Sequence, residues 1–248
     1  MHSLRTRFSD DIVAEFIPSQ QESHRAVILC DGLPSVPSKR KVLDFFARRG
    51  FWVFHPRYRG TWESGGQFLA ASPEEDIQLV IDALEAGVVR DVWNDVDLPC
   101  SFKDIYVIGS SFGGAVALMA SRDPRVKKVV ALSPVVDWTA PSETEPMDTF
   151  PQIVQSAFGD AYRPVPDGWV RLQRGEWCNP VLHKNEMDGE KIMIIHAADD
   201  DVVLPGPVQS FAHDVGARMH LLPRGGHLSL SFITRFWQWR RIKHFLGS

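Results

Sequence analysis

Short continuous apolar runs, separated by longer segments of helical periodicity, dominate the hydrophobic pattern of this chain. The runs occupy residues 25–30, 51–55, 105–108, 126–132, 191–196 and 218–222. A strand covered by helices on both faces shows such an unbroken apolar run rather than an alternation of apolar and polar residues. An earlier segment, residues 10–18, predicts a further strand at an edge of the sheet.

The segments between these runs predict helices. Residues 38–49 predict a helix with Ser38 as its N-cap. Residues 72–85 predict a second helix, with proline and acidic residues in its first turn. Its apolar face consists of Ile77, Val80, Ile81 and Leu84. Further helices are predicted at residues 115–120, 205–215 and 232–245. Strands alternating with helices predict an α/β fold, a mostly parallel central sheet with helices on both faces.

The alternation stops between residues 135 and 189. Prolines and aromatic residues recur there without a clear strand pattern. A structureless loop of this length is uncommon inside a compact domain. We therefore predict a small, partly helical cap at residues 135–189, inserted into a core formed by residues 1–134 and 190–248 of a single structural domain.

Composition limits the classes of partner. The chain has 248 residues, 44% of them apolar, with 27 basic and 31 acidic residues and a net charge of -4. This balance gives no reason to expect nucleic acid or an anionic membrane. No signal peptide is predicted, and no apolar run approaches the roughly 20 residues that span a bilayer. Cys30, Cys100 and Cys178 form no metal-type pair and predict reduced thiols in a cytoplasmic protein. A homo-oligomer is compatible with these properties.

The chemistry of such a fold is expected in the loops at the carboxyl ends of the strands. These are residues 30–36, 109–114, 196–204 and 223–229. In the second loop, Gly109-Ser110-Ser111-Phe112-Gly113 has the form G-x-S-x-G between a predicted strand and a predicted helix. That context is typical of a nucleophile elbow, which exposes its serine on a strained turn. We predict Ser111 as a nucleophile.

The other loops supply the remaining groups that acyl transfer needs. His227, after two glycines, is the predicted base, and the run of aspartates from 199 to 201 offers a carboxylate to orient it. The backbone N–H groups of Phe112 and Leu33 are predicted to stabilise the oxyanion. The order Ser, Asp, His along the chain fits one superfamily of hydrolases.

Several of these residues have other interpretations. His227 alone could be a loop histidine, and the three aspartates could form a solvated loop or a Ca²⁺ or Mg²⁺ site. The aspartates lack the alternating ligand positions and tight glycine turn of such a site, and no zinc pattern is present. Arg57 and Arg59 could bind a substrate carboxylate, but hydrogen bonds that anchor their loop are more common.

Five segments of this sequence resemble the α/β-hydrolase superfamily. They are the turn at residues 31–34, the Arg-Gly…Ser-Gly-Gly loop at 59–66, the elbow, the His-Ala-x-x-Asp-x-x-Val segment at 196–203, and Gly-Gly-His at 225–227. The loop and the elbow are most similar to dienelactone hydrolases, cinnamoyl-type esterases and prolyl-oligopeptidase-like proteins. Asp31 stands where the superfamily usually has histidine, and Ala197 replaces a glycine.

The resemblance implies a function and selects among the aspartates. It places the triad carboxylate at Asp200 and implies a serine hydrolase that cleaves small-molecule carboxylic esters without a cofactor or metal. Two alternatives remain: a small prolyl-oligopeptidase-like serine peptidase, and a non-catalytic protein of the same fold that binds a ligand.

Overall fold

A mostly parallel sheet lies at the centre of the computed structural model, which describes residues 2–9, 11–140, 142, 144 and 146–247. The strands are β1 (Leu4–Phe8), β2 (Ile12–Ile17), β3 (Arg25–Cys30), β4 (Trp52–Pro56), β5 (Val88–Asp91), β6 (Val96–Pro99), β7 (Asp104–Ser110), β8 (Val126–Leu132), β9 (Ile192–Ala197) and β10 (Arg218–Leu222). Eight strands form the sheet in the order β1-β2-β4-β3-β7-β8-β9-β10, while β5 and β6 form a separate antiparallel hairpin. The pairs β1–β2 and β2–β4 are antiparallel, and the remaining pairs of the sheet are parallel.

Helices cover both faces of this sheet. They are α1 (Arg40–Ala47), α2 (Glu74–Leu84), α3 (Phe112–Ala120), α4 (Phe150–Phe158), α5 (Gly168–Gln173), α6 (Pro205–Val215) and α7 (Phe236–Leu246). Successive residues of β3 point to opposite faces, so Ala26 and Ile28 pack with α2 and α3 while Val27 and Leu29 pack with α1 and α7. The predicted mostly parallel α/β fold is confirmed.

Three details of the prediction are wrong. The strand predicted at residues 10–18 is β2, but it lies inside the sheet, and the edge is β1; position 10 lies outside the described residues. Helix α1 begins at Arg40 after Lys39, and Ser38 does not cap it. The closing helix begins at Phe236, because a 3-10 helix at Leu230–Thr234 first inserts Leu230, Phe232 and Ile233 into the core.

Residues 135–189 contain α4, α5 and two 3-10 helices at Gly159–Ala161 and Pro180–Glu186. Isolated bridges join Tyr162 to Thr61 and Pro164 to Phe68, and Trp138 belongs to the same apolar core as Phe112. These contacts lay the segment over the carboxyl end of the sheet. Its status as a separate cap stays a prediction.

The helices described in the structure are too short or too polar for any of them to traverse a lipid bilayer.

Candidate active site

Ser111 lies on a sharp turn between the end of β7 and the start of α3. Its backbone angles are φ 55° and ψ -121°, a region that non-glycine residues rarely occupy. The turn leaves no room for neighbouring side chains. A Cβ at Gly109 would overlap the carbonyl oxygen of Gly113, and one at Gly113 would overlap the carbonyl oxygens of Cys30 and Asp31. The G-x-S-x-G spacing is therefore a packing requirement of this turn.

The turn after β3 lies against this serine. A Cβ placed on Gly32 would lie 3.4 Å from the Cβ of Ser111. Phe112 is the first residue of α3, so its N–H has no acceptor within the helix. Within the described part of the chain, the Leu33 N–H likewise donates to no acceptor. Among the described residues, neither predicted oxyanion donor has an acceptor, and their role in binding an oxyanion stays a prediction.

Asp31 holds that turn in place. Its Oδ1 accepts a hydrogen bond of 3.1 Å from the N–H of Gly32, and its Oδ2 accepts one of 2.7 Å from the Ser35 hydroxyl. The Lys39 ammonium lies 2.7 Å from Oδ2, and Nε2 of His55 lies 3.3 Å from it. Burial raises the pKa of Asp31, but His55 and Lys39 outweigh burial and lower it to about 2. Asp31, which stands where the superfamily usually has histidine, therefore anchors this turn through its side chain.

Arg57 and Arg59 also anchor this region. Arg57 donates to Nδ1 of His55 at 2.7 Å and to the carbonyl of Pro37 at 3.0 Å. The ring proton of His55 consequently lies on Nε2, towards Asp31. Burial lowers the pKa of His55. The N–H of Arg59 donates to Asp76 at 2.8 Å, and its side chain pairs with the same carboxylate. Both arginines are occupied by loop contacts, as the sequence favoured.

His227, in the loop after β10, contacts Asp200, in the loop after β9. Nδ1 of His227 lies 3.1 Å and 3.0 Å from the two carboxylate oxygens of Asp200. Asp200 is buried, and its Oδ1 accepts hydrogen bonds of 3.1 Å from the N–H groups of Val202 and Val203. Burial raises the pKa of Asp200, but hydrogen bonds from His227, from the Ser133 hydroxyl and from the Val203 backbone outweigh burial and lower it to about 2. This carboxylate is ionised and oriented towards the imidazole.

The three consecutive aspartates make different contacts. Oδ1 of Asp199 accepts hydrogen bonds of 2.8 Å and 2.9 Å from the N–H groups of Gly225 and Gly226, which precede His227. Asp201 is exposed. Among the described residues, no group of histidine, cysteine or acidic side chains is arranged to hold a metal ion. Asp199 caps the turn that carries His227.

Ser111 and His227 are both half-buried and lie in loops that follow the carboxyl ends of two parallel strands, β7 and β10. In the part of the chain that the structure describes, no hydrogen bond joins them. Nδ1 of His227 is engaged by Asp200, so Nε2 is the nitrogen left for a substrate or for the serine. Catalytic hydrogen bonds are often long without substrate and tighten in the reacting complex.

An apolar cavity of about 200 Å³ opens beside Ser111. It lies between the beginning of the predicted cap and the start of α6. Its lining residues are Leu33, Ser111, Val135, Val136, Asp137, Trp138, Ala140, Ser142, Met147, Phe150, Val202, Val203, Leu204, Pro207 and Val208. The Ser142 hydroxyl donates to the Val202 carbonyl at 3.2 Å, which ties the two walls together.

The sequence matches the family model of the prolyl oligopeptidase family over residues 37–247. The chain belongs to the prolyl oligopeptidase family. The predicted α/β-hydrolase resemblance is thereby confirmed, in one of the three branches that the loop and elbow motifs indicated. None of the curated proteins compared with this sequence matches it.

Solved structures agree with this prolyl oligopeptidase family assignment at the level of the fold. An esterase of Pyrococcus furiosus is similar with a TM-score of 0.69 at 20% identity, covering 99% of this chain and 89% of its own. Est1E of Butyrivibrio proteoclasticus has a TM-score of 0.63 at 14% identity, with 100% of both chains covered. An acylaminoacyl peptidase of Pyrococcus horikoshii has a TM-score of 0.64 at 14% identity; 99% of this chain matches 40% of that protein.

The sequence analysis of this family member missed Ser133, which follows β8. Ser133 is fully buried; its hydroxyl accepts a bond of 3.1 Å from the Leu228 N–H and helps to lower the pKa of Asp200. It thus links the loops of the carboxylate and of His227. The signal was available, because β8 also ends at the carboxyl edge of the sheet, but its loop was not among the four selected.

Ser133→Ala should lower kcat of hydrolysis about tenfold while KM changes less than twofold, because a slightly misplaced His227 imidazole would be less effective in its predicted role as base. The unpaired Leu228 N–H should also cost about 1–3 kcal/mol of stability. Ser121→Ala is the matched control, since Ser121 is a buried serine that donates to the Leu118 carbonyl at 2.6 Å, away from Asp200. Steady-state kinetics would measure the change in kcat and KM, and thermal melts would measure the change in stability. A kcat equal in both variants would contradict a positioning role for Ser133.

Proposed function

We propose that this protein is a serine hydrolase that cleaves carboxylic esters through an acyl-enzyme. Ser111 is the nucleophile, His227 the general base and Asp200 the orienting carboxylate. The observation that carries the proposal is the strained Ser111 at the mouth of an apolar cavity, with the His227–Asp200 pair on the neighbouring loops. Membership of a family of hydrolases supports the reaction class.

The acylation step follows from these positions. Nε2 of His227 takes the hydroxyl proton as Oγ of Ser111 bonds to the ester carbonyl carbon. The carbonyl oxygen gains negative charge and accepts hydrogen bonds from the N–H groups of Leu33 and Phe112. Collapse of this intermediate breaks the bond to the alcohol oxygen, which receives the proton from His227. Asp200 stabilises the imidazolium without itself taking the proton.

Deacylation repeats the same steps with water. His227 removes a proton from a water molecule, whose oxygen bonds to the acyl carbon. The bond to Oγ of Ser111 then breaks, and Ser111 recovers its proton from His227. The products are a carboxylic acid and the regenerated enzyme, so the reaction needs no redox partner.

The cavity supports an acyl group of limited length. A cavity of about 200 Å³ with apolar walls suits a short to medium acyl chain. We therefore expect kcat/KM on p-nitrophenyl esters to be highest for acyl chains of about four to six carbons and at least tenfold lower for dodecanoate. A preference that rises steadily to long chains would contradict this account of the acyl site.

A cavity variant sharpens this test. Met147→Ala removes a half-buried lining residue and should shift the optimum by about two carbons towards longer chains. Met187→Ala is the matched control, because Met187 is also half-buried but lies outside the cavity. An equal shift in both variants would show that stability, not the cavity wall, sets the preference.

One observation favours the alternative of a peptidase acting on aminoacyl substrates. Asp137 lines the cavity, and its Oδ1 accepts hydrogen bonds of 3.0 Å and 2.8 Å from Thr139. No hydrogen bond of the described residues uses its Oδ2, so this oxygen could receive a substrate ammonium. If aminoacyl anilides are cleaved faster than esters, and if Asp137→Asn raises their KM at least tenfold without affecting neutral esters, the peptidase function replaces the esterase.

We further propose a cytoplasmic location. Cys30 and Cys178 are buried free thiols, and Cys100 is half-buried and also free. Unpaired cysteines of this kind suit a reducing compartment.

A further inference from the structure

The helices α1 and α7 and the residues next to them carry a disproportionately large share of the positive charge of this molecule. Residues 38–49 contain Lys39, Arg40, Lys41, Arg48 and Arg49 against the single acid Asp44. Residues 231–247 contain Arg235, Arg240, Arg241 and Lys243 and no acidic residue. The two helices pack side by side on one face of the sheet, where the Trp239 ring lies 5.1 Å from Phe45 and 5.6 Å from Phe46. We call this surface the α1/α7 face.

Most of these cations lack a carboxylate partner. Within the described ranges, no ion pair involves Lys41, Arg48, Arg49, Arg235, Arg240, Arg241 or Lys243, and all seven are exposed. Several cations elsewhere are paired, such as Arg90 with Asp97, Arg171 with Asp167, and Lys184 with Asp214. The exposed Lys103, Arg218 and Arg224 have no ion pair among the described residues, but they are scattered rather than gathered on one surface. The charge on the α1/α7 face is therefore unneutralised, although the chain as a whole is acidic.

The face also has a concave cationic site. A cavity of about 320 Å³ lies beside α7, next to the C-terminal end of α1. It is lined by Gln21, Arg25, Arg49, Trp239 and Lys243. Three cations converge there with no acidic residue in the lining, an arrangement suited to a phosphate group.

Two aromatic residues project from the same face. Phe236 and Trp237 are each 66% exposed, and their ring centroids are 5.1 Å apart. The Arg240 guanidinium lies 5.6 Å from the Trp237 ring. The opposite side of α7, with Ile242, Phe245 and Leu246, is buried against the sheet. Helix α7 thus presents aromatic and cationic groups together on its outer side.

We propose that the α1/α7 face docks the protein on an anionic lipid surface. The cations attract the charged leaflet, phosphate headgroups enter the cavity beside α7, and Phe236 and Trp237 insert at the level of the headgroups. The net charge of the chain predicts no membrane partner. That charge is a sum over the whole chain, however, and does not show the local excess of positive charge on the α1/α7 face. Lipid is favoured over nucleic acid because the exposed aromatic pair lies on the convex outer side of the helix, where it can enter an interface. This inference is independent of the proposed reaction.

The test is flotation of the full chain with vesicles of phosphatidylcholine alone or with 30% phosphatidylglycerol. We expect binding to the anionic vesicles, little binding to the neutral ones, and loss of binding between about 50 and 500 mM salt, because the attraction is screened. Binding to both kinds of vesicle alike, or to neither, would overturn the proposal.

Two sets of variants locate the surface. The triple variant Arg240→Glu, Arg241→Glu, Lys243→Glu should weaken binding at least 100-fold, since each basic residue contributes about fivefold. The matched control reverses Arg90, Arg171 and Lys184, with the same change in net charge, and should stay within about fivefold of wild type. Equal losses in both would show that only net charge matters and would overturn the assigned face.

The aromatic pair is tested by Phe236→Ser with Trp237→Ser, which should weaken vesicle binding about tenfold while the salt dependence is kept. Duplex DNA of 20 base pairs is measured in parallel. Tighter binding to DNA than to the vesicles, unaffected by the serine variants, would identify a nucleic-acid surface and overturn the lipid proposal. Circular dichroism spectra and thermal melts like those of wild type show that each variant is folded.

Discussion

Asp200→Asn should lower kcat on an ester by about 10³- to 10⁴-fold, the scale of effect found when a triad aspartate becomes asparagine. The amide keeps the shape of the carboxylate. It cannot, however, stabilise an imidazolium, and its NH₂ group favours the wrong tautomer of His227. Because Asp200 is buried and bonded to His227, the loss should appear in kcat more than in KM.

Asparagine variants of the neighbouring aspartates are the controls for this change. In Asp199→Asn the side-chain carbonyl can still accept from Gly225 and Gly226, so we expect less than a tenfold loss. Asp201→Asn changes an exposed residue and should have a similarly small effect. A large loss at position 199 or 201, with little at 200, would show that the carboxylate is misassigned.

The pH dependence of folding should reflect the same group. The pKa of Asp200 is lowered to about 2, so its carboxylate stabilises the fold above the ordinary aspartate pKa of about 3.9. That contribution is lost as the pH falls through about 2. Acid melts should therefore show a smaller loss of stability between pH 4 and pH 2 for Asp200→Asn than for wild type. A loss as large as that of wild type would contradict the assigned ionisation.

Ser111→Ala should abolish nearly all esterase activity, lowering kcat by at least about 10³-fold and leaving the residual catalysis of the oxyanion site. Among the described lining residues the other hydroxyl is that of Ser142, which donates to the Val202 carbonyl. The folded state should persist, because alanine occupies less space at the same backbone angles. Thermal melting within a few degrees of wild type would confirm that chemistry, not folding, is lost.

The matched control is Ser110→Ala, one residue earlier in the elbow. Ser110 is the last residue of β7 and is buried. We expect less than a tenfold change in kcat for this variant. If Ser110→Ala lost the activity and Ser111→Ala kept it, the nucleophile would be Ser110 and our assignment would be wrong.

The buried part of the fold could be predicted from the sequence because it follows a simple rule. Strands β3 and β8 have the bounds of the apolar runs at 25–30 and 126–132 and are mostly buried. Strand β10 also has the bounds of its run, 218–222, but it lies at the edge of the sheet and none of its residues is buried. Each run belongs to the parallel part of the sheet. The loops that follow parallel strands are where the chemistry of such a sheet is expected, and together with the G-x-S-x-G motif and the order Ser, Asp, His they selected Ser111 and His227 as candidates.

The missed features depend on contacts between distant residues. Strand β1 has two arginines among its five residues and is recognisable as a strand mainly through its pairing with β2. Ser133 gains its interest from Asp200 and Leu228, which lie far along the chain. The α1/α7 face could not be found from the net charge, because the net charge does not show where the charged residues lie in the fold. In each case the residues are present in the sequence, but the sequence does not show which of them become neighbours in the fold.

Covalent labelling with a fluorophosphonate tests the central claim most directly. The reagent requires a serine hydroxyl activated by a base, the arrangement we assign to Ser111 and His227. Intact mass spectrometry should show a single adduct, peptide mapping should place it on Ser111, and Ser111→Ala should prevent it. An adduct on Ser110 or elsewhere, or no adduct on the folded protein, would contradict the assignment of Ser111 as the nucleophile.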